Sequence, residues 1–152
     1  MLSDVLRQLH LHTPTQQIGM AAVVATAVLA FWRGGRTEAA GATVVLVCWI
    51  ITPFTQNLNV HLGPQLGILA IDAVLLAFLV ALALRSARFW PLWAAGFHAL
   101  GTVMHLGAMV DPQIVTRAYL TGLFISSYLL LGAIVAGTLL EANRRSSLRG
   151  TA

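Results

Sequence analysis

Five long apolar runs, separated by short polar breaks, make up most of the chain. They extend over residues 17–32, 39–54, 65–84, 90–110 and 118–140. A helix needs about 20 apolar residues to cross the hydrocarbon core of a membrane, and about 17 suffice. The runs are continuous and do not alternate as the strands of a membrane barrel do. This pattern predicts an all-α fold, a polytopic transmembrane helical bundle with five spans, in one domain over residues 1–152.

The arginines in the polar breaks predict how the bundle is oriented. They follow the first, third and fifth runs, at Arg33, Arg36, Arg85, Arg88, Arg144, Arg145 and Arg149. With five spans these three segments fall on one side, and the other side holds only Arg7 and Arg117. Short arginine-rich loops stay in the cytoplasm. We therefore expect the N-terminus outside, the C-terminus inside, and residues 141–152 as a short cytoplasmic basic tail.

The composition agrees with a membrane setting and limits the classes of partner that we expect. Of the 152 residues, 58% are hydrophobic and only 9% are charged, whereas soluble domains are about a quarter charged. The net charge of +4 is divided among separate breaks, so it predicts no nucleic-acid partner. The expected partner is the lipid bilayer, and self-association or other membrane subunits remain open. The single Cys48 cannot form an internal disulfide.

Three ionisable residues lie inside the later apolar runs. Asp72 is in the third run, and His98 and His105 are in the fourth. At 100° per residue the two histidines differ by only about 20° around the helix, so they share a face. With a rise of 1.5 Å per residue, Asp72 and His105 are expected within about 3 Å of the same depth. We predict an intramembrane polar pair of Asp72 and His105, with His98 deeper and away from any acid.

The pair admits a structural and two functional interpretations. A lone aspartate in hydrocarbon costs about 2.5 kcal/mol or more, so it takes a partner, and a hydrogen bond would pin spans three and four together. Alternatively, Asp72 and His105 serve a small proton or cation transporter or channel. In a third interpretation, His98 or His105 is a cofactor-binding residue of a haem- or pigment-binding subunit. Only the fourth run carries histidines, so we predict no cofactor, with a tetrapyrrole as the alternative.

The outer segments contain three more histidines, His10, His12 and His61. Together with His105, Asp72 and Asp111, they could form an outward-facing zinc site. No two of them have a diagnostic spacing, so we predict no metal site, and the role of the outer histidines is left open.

Aromatic and small residues predict how the helices are anchored and packed. The break after the third run provides interfacial anchors at Arg85, Arg88, Trp90 and Trp93, because tryptophan and arginine are enriched at membrane–water boundaries. In the fifth run, small residues four apart predict close helix packing; they are Gly132, Ala133, Ala136 and Gly137.

No catalytic template is present in the sequence. There is no nucleophile elbow, no histidine pair with an intervening glutamate and no phosphate-binding glycine loop. Ser126 and Ser127 have no base at a matched depth. We therefore predict no catalytic residues and no enzymatic activity. The leading interpretation is a structural or accessory component of the membrane or of a larger membrane complex.

The segment from Asp72 to about Gly137 resembles a group of small bacterial polytopic inner-membrane proteins with no assigned activity. The resemblance rests on an aspartate, an Arg-x-x-Arg-x-Trp-Pro-x-Trp motif, a histidine, an Asp-Pro pair and a tyrosine. In this sequence they are Asp72, Arg85, Arg88, Trp90, Pro91, Trp93, His105, Asp111, Pro112 and Tyr119. The resemblance implies a multi-pass protein of a bacterial inner, or cytoplasmic, membrane and implies no mechanism.

Overall fold

A computed structural model describes residues 14–55, 66–110 and 116–150. In these ranges the chain forms five α-helices and no strand. We number them α1 to α5 in chain order: Pro14–Arg33, Arg36–Thr55, Leu66–Arg85, Trp90–Val110 and Thr116–Gly150. Each helix corresponds to one predicted run. The largest difference is in α5, which continues as helix through most of the predicted basic tail.

The connection between α1 and α2 shows how two residues reverse the chain. The N–H of Gly34 donates to the carbonyl of Ala30 and closes α1. A Cβ atom on Gly34 would lie 2.4 Å from that carbonyl oxygen, so only glycine fits. The N–H of Gly35 donates to Oε2 of Glu38 at 2.8 Å. This is the side-chain half of a capping box, and it starts α2.

The five helices close into a ring. Contacts join α1 to α2, α2 to α3, α3 to α4, α4 to α5 and α5 back to α1, and α2 also contacts α5. The short α1–α2 and α3–α4 connections bring the C-terminal ends of α1 and α3 to the N-terminal ends of α2 and α4. The late part of α5 lies at this same end, because Arg145 contacts Gly34. We call it the arginine end.

The interior of the ring is small and the exterior is apolar. Buried side chains include Val23, Val45, Leu79 and Ile134. Many large apolar side chains instead face outward, among them Phe31, Val74, Leu84, Phe89, Leu100, Val103, Ile125 and Leu140. A soluble protein rarely exposes contiguous apolar surface of this kind. The exterior is suited to hydrocarbon.

Four of the five described helices are long and apolar enough to span a membrane: α1, α2, α3 and the Ala118–Leu148 part of α5. The chain therefore has the helices of a multi-pass membrane protein. The fourth helix, α4, is not among them, although it has 21 residues. It carries His98 and His105, and these side chains lower its mean hydropathy.

Candidate functional site

Asp72 of α3 is the centre of a cluster of polar side chains. Its Oδ2 atom lies 3.0 Å from Nε2 of His105 in α4. Its Oδ1 atom lies 3.9 Å from Nε2 of His98. His98 is also in α4, seven residues before His105. The side chains of Asp72, His98 and His105 are 20%, 12% and 7% exposed. The structure thus brings the predicted pair into direct contact and adds His98 to it.

Tyr119 of α5 extends this cluster to a third helix. Its hydroxyl oxygen lies 2.6 Å from Nδ1 of His105, and the two rings meet edge to face with centroids 5.6 Å apart. An ionised carboxylate can only accept hydrogen bonds. With Asp72 ionised, Nε2 of His105 therefore donates to it, and in the neutral imidazole Nδ1 accepts from the Tyr119 hydroxyl. We call Asp72, His98, His105 and Tyr119 the polar network.

The position of His98 differs from the sequence prediction, which left it without an acid at its depth. Its Nε2 lies 3.0 Å from the backbone oxygen of Asp72. A carbonyl in a helix points toward the C-terminus, which in α3 is the direction of the deeper level of His98. Because that oxygen only accepts, His98 donates from Nε2. The rise per residue gives the depth of the backbone only, whereas the imidazole extends from it and finds a backbone acceptor.

The polar network does not suit a tetrapyrrole. Both ring nitrogens of His105 already have partners, and His98 uses Nε2 to donate to a carbonyl. Both histidines project from one helix, so they cannot clamp a macrocycle from two sides. In the described ranges, no group of three or more His, Cys, Asp or Glu side chains could hold a metal ion. His10, His12, His61 and Asp111 lie outside those ranges.

A second polar cluster closes the arginine end, and Glu141 is its centre. The Glu141 side chain is 2% exposed and forms an ion pair with Arg88 from the α3–α4 connection. Its carboxylate also accepts from Nε of Arg144 and Nε of Arg145, each at 2.9 Å. Arg145 further donates to the carbonyl of Gly34 at 3.0 Å. One carboxylate thus joins α5 to the α3–α4 connection and to the end of α1.

Glu38 is the second buried carboxylate of this end, with 0% exposure. The indole N–H of Trp90 donates to its Oε1 at 2.9 Å, while its Oε2 caps α2. The Trp90 ring fits between two glycines: a Cβ on Gly41 or Gly137 would lie 2.5 or 2.3 Å from a ring atom. We call Glu38, Arg88, Trp90, Glu141, Arg144 and Arg145 the arginine-end cluster.

The cluster changes the interpretation of two of the four predicted anchors. Trp90 is only 5% exposed, because its N–H has an acceptor inside the bundle; Trp93 is 63% exposed, as an anchor should be. Arg88 is engaged by Glu141, and this hydrogen bond raises the pKa of Arg88 above its ordinary value. Arg85 is exposed at the end of α3.

Sequence reasoning missed Glu38 and Glu141, although a signal was available. They are the only two glutamates in the chain, and each lies within five residues of an arginine group predicted to be cytoplasmic. The small-residue prediction for α5 holds only for part of its positions. The Trp90 ring packs against Gly137, whereas no atom counted as a neighbour lies within 4 Å of the position that a Cβ on Gly132 would occupy.

Comparisons with models of known protein families, with curated proteins and with solved structures gave no match to this chain. Its function is therefore argued from the residues of the two clusters.

The contact between Asp72 and His105 should show in a double-mutant cycle of Asp72→Asn and His105→Gln, with His105→Leu as a further single variant. We expect His105→Leu to lower the unfolding free energy by about 2.5 kcal/mol, since it strands a carboxylate in an apolar setting. Asp72→Asn combined with His105→Gln should recover much of that loss, because no charge is then left unpaired. Equilibrium unfolding in detergent micelles measures both. Equal losses in the single and the double variant would contradict the contact.

Proposed function

We propose that this protein is a small proton transporter or channel of the bacterial inner membrane, in which the polar network carries the proton. The observation that supports it is a carboxylate with two imidazoles beside it, one of which also contacts a phenol. Three groups able to give or take a proton, Asp72, His105 and Tyr119, are joined by contacts of 2.6 and 3.0 Å across α3, α4 and α5. His98 lies 3.9 Å from the same carboxylate. Ionisable residues at membrane depth mark ion and proton pathways.

A purely structural contact would not need ionisable groups. Asparagine and glutamine could supply similar hydrogen bonds between α3 and α4 without the cost of placing a charge in hydrocarbon, about 2.5 kcal/mol or more. The network instead contains Asp72, His98 and His105, whose common property is that each binds and releases a proton. This choice of residues favours proton handling over simple cross-linking.

The geometry favours a proton over a metal cation as the transported species. With Asp72 ionised, Nε2 of His105 donates to Oδ2, and Nε2 of His98, which donates to the backbone, lies 3.9 Å from Oδ1. A cation at the carboxylate would have to displace these N–H groups. A proton needs no such displacement, because it moves along the hydrogen bonds already present.

The place of α4 in the ring supports five spans. It packs between α3 and α5, and both of these neighbours have the length and apolarity of a span. Its 21 residues correspond to a length of about 32 Å at 1.5 Å per residue. The arginine end would then be cytoplasmic, the N-terminus outside and the C-terminus inside. The bilayer is the partner in this proposal, and no enzymatic reaction is assigned.

The topology predicts an alternating labelling pattern. With Cys48 replaced by alanine, single cysteines at positions 5, 60 and 114 should react with an impermeant thiol reagent added to intact spheroplasts. Cysteines at positions 37, 87 and 147 should react only after the membrane is opened, because they would lie on the arginine side. Labelling of positions 37 and 147 from opposite sides would contradict five spans.

Proton flux into proteoliposomes tests the transport function. Vesicles that contain the protein should collapse an imposed pH gradient faster than empty vesicles, as reported by a trapped pH-sensitive dye. Asp72→Asn should reduce the rate to that of empty vesicles, because the amide cannot ionise. Thr43→Val is the matched control, since the Thr43 hydroxyl bonds only within its own helix, to Ala39, on the exposed side. Wild-type vesicles as slow as empty ones would contradict the proposal.

A structural or accessory role is the second candidate, and the arginine-end cluster favours it. This cluster connects α1, α2, α4 and α5 and uses buried charge at the opposite end of the bundle from the polar network. If flux is absent while the double-mutant cycle shows coupling between Asp72 and His105, both clusters hold the bundle together and the accessory role is the better account.

A further inference from the structure

We infer that Tyr119 is the positioning residue that sets the tautomer of His105 and admits protons to Asp72. This inference rests on the proposed proton function. It starts from the 2.6 Å contact between the Tyr119 hydroxyl and Nδ1 of His105, on the side of the ring opposite Asp72. The three groups form a line: hydroxyl, imidazole, carboxylate.

For a neutral His105, the titratable groups around it set the direction of both hydrogen bonds in this line. α4 packs against α3 and α5. Among the described residues, these helices turn Asp72 and Tyr119 toward His105, and His98 lies on its own helix. While Asp72 is ionised, the order is Tyr119 O–H to Nδ1, then Nε2–H to Oδ2. In this neutral form of His105 the imidazole proton is on Nε2.

Adding one proton reverses the direction of both hydrogen bonds in this line, and no charged histidine forms. A hydronium ion gives a proton to the Tyr119 oxygen and leaves as water. The Tyr119 hydroxyl proton moves to Nδ1, and the Nε2 proton moves to Oδ2. Three O–H or N–H bonds form and three break, including the bond in hydronium. The products are a neutral tyrosine, a neutral His105 with its proton on Nδ1, and a protonated Asp72.

The phenol is essential to this exchange because it both accepts and donates. Phenylalanine keeps the ring and its edge-to-face packing on His105 but offers neither function. Without the hydroxyl, a proton must reach Nδ1 of His105 from water directly, and the Nδ1–H group formed by the exchange has no acceptor in the line. Tyr119→Phe therefore alters the path of the proton while preserving the shape of the site.

Two measurements on Tyr119→Phe test the inference. The first is proton flux in proteoliposomes, which we expect to fall by about a hundredfold, the lower end of what a positioned proton donor contributes. Tyr128→Phe is the matched control. Tyr128 is on the same helix and 41% exposed, and its variant should retain the wild-type rate. Equal flux in Tyr119→Phe and the wild type, with Asp72→Asn inactive, would overturn this inference and leave the proposed function standing.

The second measurement is the ¹⁵N spectrum of the histidine side chains, with the His105 signals assigned by their loss in His105→Gln. On acidification, wild-type His105 should pass from the Nε2–H to the Nδ1–H neutral tautomer. In Tyr119→Phe the Nδ1–H tautomer should not accumulate, because its N–H has lost its acceptor. A loss of packing alone would not change which nitrogen carries the proton. Formation of the Nδ1–H tautomer in both proteins would overturn the role of Tyr119. Absence of flux in the wild type itself would instead refute the proposed function.

Discussion

Replacing Glu141 with glutamine is expected to lower the unfolding free energy by about 3 kcal/mol, the low end for breaking a buried ion pair. Glu141 is 2% exposed and accepts from three arginines. The amide would leave the half-buried Arg88 guanidinium without an opposite charge, and it would weaken the link between α5 and the α3–α4 connection. The low end applies because Arg144 and Arg145 are largely exposed to solvent. Equilibrium unfolding in detergent micelles measures the loss.

Arg144→Gln is the control for this variant. It removes a charge partner of the same carboxylate, but the Arg144 side chain is 61% exposed. Exposed ion pairs contribute little because water and salt screen them. Arg144→Gln should therefore remain close to the wild type. A Glu141→Gln variant as stable as Arg144→Gln would mean that the arginine-end cluster does not hold the bundle together.

Trp90→Ala is expected to cost about 3–5 kcal/mol, the range for removing a large aromatic side chain from a core. Trp90 is 5% exposed and fills the space between two glycines. Its loss also removes the N–H group that Glu38 accepts. Trp93→Ala is the matched comparison, because Trp93 is three residues away on the same helix and 63% exposed. It should be far less destabilising in the same unfolding measurement.

The comparison of the two tryptophans separates two accounts of the α3–α4 junction. If both were interfacial anchors, as the sequence predicts, the two alanine variants would lose similar amounts of stability. If Trp90 is a core residue, the losses differ by several-fold. Trp90→Phe adds a finer test, since it keeps most of the ring but removes the donor to Glu38. It should lie between the wild type and Trp90→Ala.

The sequence predicted the helices well because their signal is continuous hydrophobicity. The bounds of α1 to α4 differ from the predicted runs by at most three residues at either end. Depth was also predictable, because a rise of 1.5 Å per residue places Asp72 and His105 at one level once α3 and α4 are antiparallel neighbours. The structure brings these two residues together for that reason.

Rotation about each helix axis was not predictable in the same way. A membrane helix is apolar on both its lipid-facing and its buried sides, so periodicity does not reveal which side faces inward. The sequence therefore predicts Trp90 at the lipid boundary, whereas the structure buries it in the core. Glu38 and Glu141 lie just outside the apolar runs, and the sequence does not show that three helix ends fold over them. Whether the Tyr119 side chain contacts His105 depends on the same rotation about the helix axis, which the sequence does not reveal.

The two clusters occupy different levels of one bundle and imply different roles. Thirteen residues separate Asp72 from Arg85 along α3, which is about 20 Å at 1.5 Å per residue. In the arginine-end cluster, the charge of Glu141 is balanced by arginines in ion pairs. This cluster is suited to hold one end of the bundle closed. The polar network has a carboxylate that is one-fifth exposed and whose partners can change their protonation. Stability should therefore depend mostly on the first cluster and proton movement on the second.

Infrared difference spectroscopy on the reconstituted protein tests most directly whether Asp72 accepts a proton. The spectrum of the acidified protein minus that of the alkaline protein should contain a protonated-carboxyl band that is absent in Asp72→Asn. His105→Gln should shift this band, because Nε2 of His105 lies 3.0 Å from the carboxylate. Glu141→Gln should leave the band in place, since Glu141 belongs to the other cluster. Identical difference spectra for the wild type and Asp72→Asn would contradict the account.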